Sequence, residues 1–191
     1  YGVSATPVRE ALVDLSAQGL LDSVQHRGFR VHEYSLDDYR GMIEARSLVA
    51  DGIFSDLADR AAVSNLVELV RHGEVAGPDL VAVRRRGEEA ERAARAGDLN
   101  VFIGYDLRFW RELNALFGNP YLADFLHRLR VQCWACAVPL LRRRGDCKGY
   151  LWAGHTALVD ALLHRDPATA RAVVADCNDH ALDLVERLAV E

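Results

Sequence analysis

From Ser35 to the end of the chain the apolar residues recur at helical spacing with no strand signal among them, so the architecture that can bury them is an all-α bundle of six or seven helices. Starts and stops are marked along it. Ser35-Leu36-Asp37-Asp38 is a capping-box-like start, with Asp38 three residues after the cap. A helical pattern continues to about Ala62, another opens at Ser64, and a polar break covers residues 73–78. Asp98 caps a helix that ends before Gly118, Asn119-Pro120 opens the next, and that one fades in Arg142-Arg143-Arg144-Gly145-Asp146. One more helix covers roughly residues 150–164, and the last opens at Asp166-Pro167 and runs towards Leu188. Arg84-Arg85-Arg86 with Glu88, Glu89, Glu91 and Arg92 reads as a solvated helix face carrying i,i+3 and i,i+4 pairs.

The residues before Ser35 follow another pattern. In Ser4-Ala5-Thr6-Pro7-Val8-Arg9-Glu10-Ala11-Leu12, Ser4 is a good N-cap and Pro7 lies early enough that its missing N–H costs no intrahelical bond. Val8, Ala11, Leu12 and Leu15 then form one apolar stripe, Thr6, Arg9 and Glu10 lie off it, and Gly19 supplies the stop. Residues 20–26 and 29–32 are short strand-like segments about Arg27-Gly28, a hairpin that reads as the wing of a winged helix-turn-helix. At such a tip glycine lets the backbone approach the minor groove and a cation finds negative potential, which singles out Arg27 and Gly28, with His26 and Arg30 as secondary candidates. The fold expected is therefore mainly α: a partial winged helix-turn-helix over residues 1–33, then a helical domain over residues 34–191.

The order Gly2-Val3-Ser4-Ala5-Thr6-Pro7-Val8-Arg9-Glu10-Ala11-Leu12 resembles the GntR family of bacterial transcription regulators, whose helix-turn-helix commonly reads Gly-Val-Ser-Arg-Thr-Pro-Val-Arg-Glu-Ala-Leu. The resemblance implies DNA contacts at Ser4, Thr6 and Arg9, and one fewer at Ala5, where the family has arginine. Ala96-Gly97-Asp98-Leu99, Tyr105-Asp106-Leu107-Arg108-Phe109-Trp110, Gly118-Asn119-Pro120-Tyr121-Leu122 and Gly154-His155 followed by Asp160-Ala161 and Asp166 resemble the FCD effector domain of the FadR-type subfamily. That similarity implies a homodimeric regulator that reads operator DNA and responds to a small organic molecule held in the helical bundle.

Many FCD domains also hold a divalent metal through an aspartate, a histidine four residues later and two histidines about 22 residues apart. Asp106 and His155 match this set, whereas Trp110 and Cys177 stand at the other two positions. His180 lies about 4.5 Å further along the helix axis than Cys177 and is rotated from it by about 60°. The resemblance thus leaves two readings: a zinc site rebuilt from Asp106, His155 and either Cys177 or His180, or a lost site partly filled by Trp110. The bulk of the indole favours loss, so no cofactor is expected. The effector pocket expected has apolar walls, Trp110 on one side, Asp106 and His155 at its floor, and Cys177 and His180 nearby.

Composition narrows the remaining classes. No apolar run approaches the roughly 20 residues of a membrane helix, and the chain is read as cytoplasmic. A net charge of −5 argues mildly against nucleic acid, although charge acts locally through a reading head. The start at Tyr1 points to a fragment that lacks the two helices which precede such a head, so a second reading is a dimeric metal- or small-molecule sensor that does not itself read DNA in this form. Cys133-Trp134-Ala135-Cys136 has metal and redox spacing, but a single pair among Leu126, Leu129, Val131, Val138 and Leu140 reads as buried thiols. No hydrolase triad, phosphate loop or carboxylate pair stands out, and His26, His32, His72, His127 and His164 have no ligand-spaced companions, so an enzyme is not expected.

Overall fold

The computed structural model describes residues 5–59, 78–117, 119–164 and 166–190. Ser4, Ser64 and Gly118 lie outside them, as does the 73–78 break except for Pro78. Helix α1 spans Ala5–Ala17, strands β1 (Leu21–Val24) and β2 (Gly28–Val31) pair antiparallel, and α2 spans Leu36–Asp59. Five helices follow: α3 (Pro78–Ala96), α4 (Leu99–Ala115), α5 (Pro120–Arg144), α6 (His155–Leu163) and α7 (Pro167–Val190). Among the described residues the only sheet is the β1–β2 hairpin, and no helix is long and apolar enough to cross a membrane.

Helix α1 stops through hydrogen bonds from Gly19 N–H to the Ser16 carbonyl and from Leu20 N–H to that of Leu15, a Schellman turn that Gly19 permits at φ +78°. Two carbonyls at this end are taken by side chains from beyond the hairpin. Gln132 Nε2 on α5 donates to Gln18 O at 2.7 Å, and the Tyr34 hydroxyl donates to Gly19 O at 2.6 Å. In the hairpin the turn is made by Gln25, His26 and Arg27, while Gly28 already pairs with Val24. The tip therefore sits earlier than an Arg27-Gly28 turn would place it, because His26 adopts the left-handed conformation at φ 63° and Gly28 at φ 90° feeds directly into β2.

Local chemistry starts the bundle helices. The Ser35–Asp38 capping box closes in both directions, with Asp38 N–H donating to Ser35 Oγ and Ser35 N–H to Asp38 Oδ2. Asp98, Asn119 and Asp166 each accept an amide from three residues on, at the starts of α4, α5 and α7. Helix α6 begins at His155 rather than near residue 150, since its orphan amide is satisfied from another helix: Glu91 of α3 accepts from both Thr156 N–H and its hydroxyl at 2.7 Å. The α3 charge run is only partly a solvated face. Glu89–Arg92 pairs along the helix, but Arg86 reaches Glu112, Arg84 reaches Asp160, and Glu91 is buried.

Among the described residues the bundle has two apolar clusters. One gathers Tyr39, Met42 and Ile43 of α2 with Phe102, Cys133, Leu141 and Val185; the other gathers Phe109, Trp110 and Leu113 of α4 with Val83, Leu158, Val174 and Cys177. On α4 the residue between the clusters is Asp106, and on α2 it is Arg46, which follows Ile43 and precedes Ala50. The polar centre of the bundle lies along this seam.

Candidate functional site

Asp106 shares the inner stripe of α4 with Phe102, Phe109 and Leu113, and is 2% exposed. A carboxylate at such depth needs donors, and it has a full set. Oδ1 accepts from Trp110 Nε1 and His155 Nε2, each at 3.0 Å, and Oδ2 accepts from Trp134 Nε1 at 2.9 Å. Arg130 Nη1 stands 3.7 Å from Oδ2, and its guanidinium lies 4.0 Å above the Trp110 ring. Burial alone would raise the Asp106 pKa, but the Arg130 charge and the hydrogen bonds from His155 and Trp134 outweigh it and hold the group at about 2.

His155, at the first position of α6, has 0% exposure and is walled by the rings of Phe102, Phe109 and Trp152. Because Asp106 can only accept, His155 donates to it from Nε2, and its Nδ1 has no described partner. Gly87 of α3 makes this position reachable: a Cβ there would stand 3.0 Å from His155 Cβ and 3.2 Å from the Phe109 ring.

The residues do not fit a divalent metal. Both Asp106 oxygens face N–H donors, and Trp110 adds an N–H where a ligand would need a lone pair. His180 Nε2 donates to the Tyr150 carbonyl at 2.9 Å, and burial raises the Cys177 thiol pKa against the opposing influence of Arg130 and Arg46. Among the described residues no three His, Cys, Asp or Glu side chains converge in metal-binding geometry.

Two small cavities flank this centre. The larger, about 50 Å³, is lined by Asp106, Cys177 and His180 among others; the second, about 30 Å³, is lined by Trp110, Asn114 and Asn178. Arg46 and Arg130 line both. His155 lines neither: it is sealed behind the rings of Phe102, Phe109 and Trp152, and Arg46 and Arg130 border both cavities instead. Burial and the neighbouring Arg46 charge both pull the Arg130 pKa down, with Asp106 acting against them. Sequence reasoning misses Arg46 and Arg130 and reads Trp134 only within the Cys133–Cys136 pair, although Arg46 interrupts the stripe Tyr39, Met42, Ile43, Ala50 and Arg130 precedes Cys133, Ala137 and Leu141 on another. A cation at helical spacing on an apolar stripe was the available signal.

At the other end of the chain, Thr6 and Arg9 lie on the exposed side of α1, and Arg27 and Gly28 are exposed at the hairpin. Arg30 is bound to Asp22 at 3.0 Å, and His32 meets the other oxygen of the same carboxylate at 2.7 Å. The α1 stripe is itself exposed, Val8 by 47% and Leu15 by 37%. The four cysteines are free thiols, and burial raises Cys136 to about 11.

Residues 41–180 match the FCD domain family, and residues 1–31 match the gntR family of bacterial regulatory proteins. The chain is 35% identical over 175 residues to the "Probable D-xylose utilization operon transcriptional repressor" of Paenarthrobacter nicotinovorans, covering 88% of this chain and 67% of that protein. Its fold resembles that of E. coli McbR/YncC, with a TM-score of 0.72 and 21% identity over 97% of this chain and 82% of that one. It also resembles Lar, which controls the expression of the Listeria monocytogenes agr system, with a TM-score of 0.60 and 19% identity over 97% and 81% of the two chains.

Proposed function

Because the chain belongs to the gntR family of bacterial regulatory proteins and carries its FCD domain, a family of transcription regulators rather than enzymes, we propose that it is a repressor whose grip on operator DNA is set by a small organic molecule in the bundle. Residues 1–33 act as the DNA-reading head and residues 34–191 as the sensing domain. Thr6 and Arg9 read or position the operator from α1, with Ser4 at its start and Arg27 and Gly28 at the minor groove. Two copies related by a two-fold axis read half-sites about one helical turn apart. The bundle senses its ligand without a divalent metal.

The observation that carries this reading is the pairing of an exposed Thr6–Arg9 face and hairpin tip with a bundle whose buried charges border two cavities. A repressive role is supported by the name of the Paenarthrobacter relative. The test is a mobility shift with the full-length gene product and the DNA upstream of its own operon. Arg9→Ala is expected to lose about 1–3 kcal/mol of affinity, the scale of one good base contact. Arg27→Ala should lower the salt slope by about one. Unchanged affinity and slope in both variants would remove these residues from the interface.

A further inference from the structure

Among the described residues Arg46 is a buried cation without an answering charge. It is 5% exposed, its Nη1 contacts Cys133 Sγ at 3.8 Å, and its Nη2 has no described partner. The other buried charges are engaged. Asp106 is surrounded by donors, Arg130 has the Asp106 carboxylate and the Trp110 ring, and Glu91 is occupied with Arg95 and Thr156. A guanidinium stays protonated even when buried, so the described group in contact with Arg46 that can take a negative charge is the Cys133 thiol.

This contact sets Cys133 apart from the other three cysteines. Burial pushes the thiols of Cys136, Cys147 and Cys177 up, Cys136 to about 11, and Cys177 even against the neighbouring Arg130 and Arg46 charges. Cys133, itself buried, presents Sγ to a guanidinium nitrogen and lines the cavity of about 50 Å³ together with Arg46. The thiolate, not the thiol, is the nucleophile, and an adjacent arginine favours it. With roughly 10–15 Å³ per water-sized sphere, the cavity takes about four heavy atoms. A reagent that meets the sulfur there must be very small.

We propose that Cys133 is a reaction site for hydrogen peroxide, with Arg46 bridging the sulfur and the leaving oxygen. A lone pair of the Cys133 thiolate forms the S–O bond to the nearer peroxide oxygen, which keeps its hydrogen. The O–O bond breaks, and the farther oxygen leaves with the bonding pair, takes up the proton that the thiol gave up and departs as water. Sulfur is oxidised to a sulfenic acid and the peroxide is reduced, so that one thiol and one peroxide become one sulfenic acid and one water. Arg46 Nη1 stabilises the thiolate, and Nη2, otherwise unpaired, donates to the oxygen on which charge develops. The cavity walls that admit peroxide keep out bulkier hydroperoxides. The reaction does not depend on the regulatory reading above.

The full chain is exposed to hydrogen peroxide in the presence of dimedone, which captures sulfenic acids, and the labelled cysteine is followed over time by peptide mass mapping. Cys133 is expected to be labelled about a hundredfold faster than the other thiols, and Arg46→Met to erase that lead, the scale of removing one donor from developing charge. Arg46→Lys should slow the reaction about tenfold, because an ammonium keeps the charge but not the fork that faces sulfur and oxygen together. Cys177→Ser should leave the label on Cys133, and cumene hydroperoxide, too bulky for the cavity, should leave Cys133 unlabelled. If the methionine variant fails to fold by circular dichroism, the lysine variant and the bulky oxidant carry the test. No sulfenic acid at Cys133, faster labelling of another cysteine, an undiminished rate in the Arg46 variants, or equal reaction with cumene hydroperoxide would overturn the proposal. Operator binding of the reduced protein is measured alongside: its absence defeats the regulatory reading, whereas an unlabelled Cys133 with operator binding intact defeats only this one.

Discussion

Replacing Asp106 by asparagine tests the polar centre most directly. The side chain keeps its shape but loses its charge, and its amide nitrogen turns an N–H towards the indoles, the imidazole or Arg130, all of which are donors. Two magnitudes bear on the outcome. The Asp106 pKa of about 2, set against 3.8 for an ordinary aspartate, makes the ionised form worth about 2.5 kcal/mol to the fold. Breaking a buried charge pair from one side costs about 3–5 kcal/mol, because the partner stays buried and unanswered. Asparagine is therefore expected to cost about 3–5 kcal/mol at pH 7, a large part of the roughly 5–15 kcal/mol that holds a domain together. In urea, with a slope of about 2 kcal/mol per molar, the midpoint falls by about 2 M. Since the folded pKa lies below the unfolded one, the Asp106 contribution is complete above pH 3.8 and is lost as pH falls through about 2. The gap between wild type and variant should accordingly narrow from pH 4 to pH 2. A loss under about 1 kcal/mol at pH 7, or a gap indifferent to acid, would refute the reasoning.

Gly87→Ala gains about 1 kcal/mol of helix propensity but presses a methyl group against His155 Cβ and Phe109, so calorimetry should show a net loss of about 1 kcal/mol or more; a raised melting temperature would mean that α3 does not close on His155. Chelator should leave the melting temperature unchanged and elemental analysis should find no stoichiometric zinc, nickel or manganese, while one tightly held metal per chain, lost on His155→Ala, would restore the rebuilt site. Gln132→Ala should speed amide exchange at Gly19 and Leu20 about fivefold, with bundle amides unaffected; exchange at the wild-type rate would show that the 2.7 Å bond to Gln18 does not hold the end of α1.

What was legible in the sequence was what local chemistry decides. Ser35 with Asp38, Asp98, Asn119 and Asp166 marked helix starts because each cap acts on an amide three residues away. The start of α6 is not legible for the converse reason, since its cap, Glu91, is 65 residues distant in the chain. The hairpin is legible but its tip is not, because either His26 or Gly28 can take a left-handed conformation and the turn puts His26 at its tip while Gly28 already pairs with Val24. At the candidate site, the sequence reading rests on the bulk of the Trp110 ring. Its N–H, which helps to hold the carboxylate, belongs to the same indole and was the more informative half. Arg46 and Arg130 are not legible in the sequence because charged residues ordinarily take a helix's wet face, and only the packing of α2 and α5 shows both on the dry one.

Helix α5 carries Arg130, Cys133 and Trp134 against the cavities and, on the same turn, Gln132 against the end of α1. These side chains share one rigid shaft. At a radius of about 5–6 Å, a rotation of about 10° sweeps the rim of a helix by roughly 1 Å. That sweep is enough to carry a 2.7 Å hydrogen bond past the distance at which it still holds. The shaft therefore needs no relay of intermediate residues: a displacement too small to disturb the packing of the bundle, begun at Arg130, arrives undiminished two residues later as a loosened grip on the first helix of the chain.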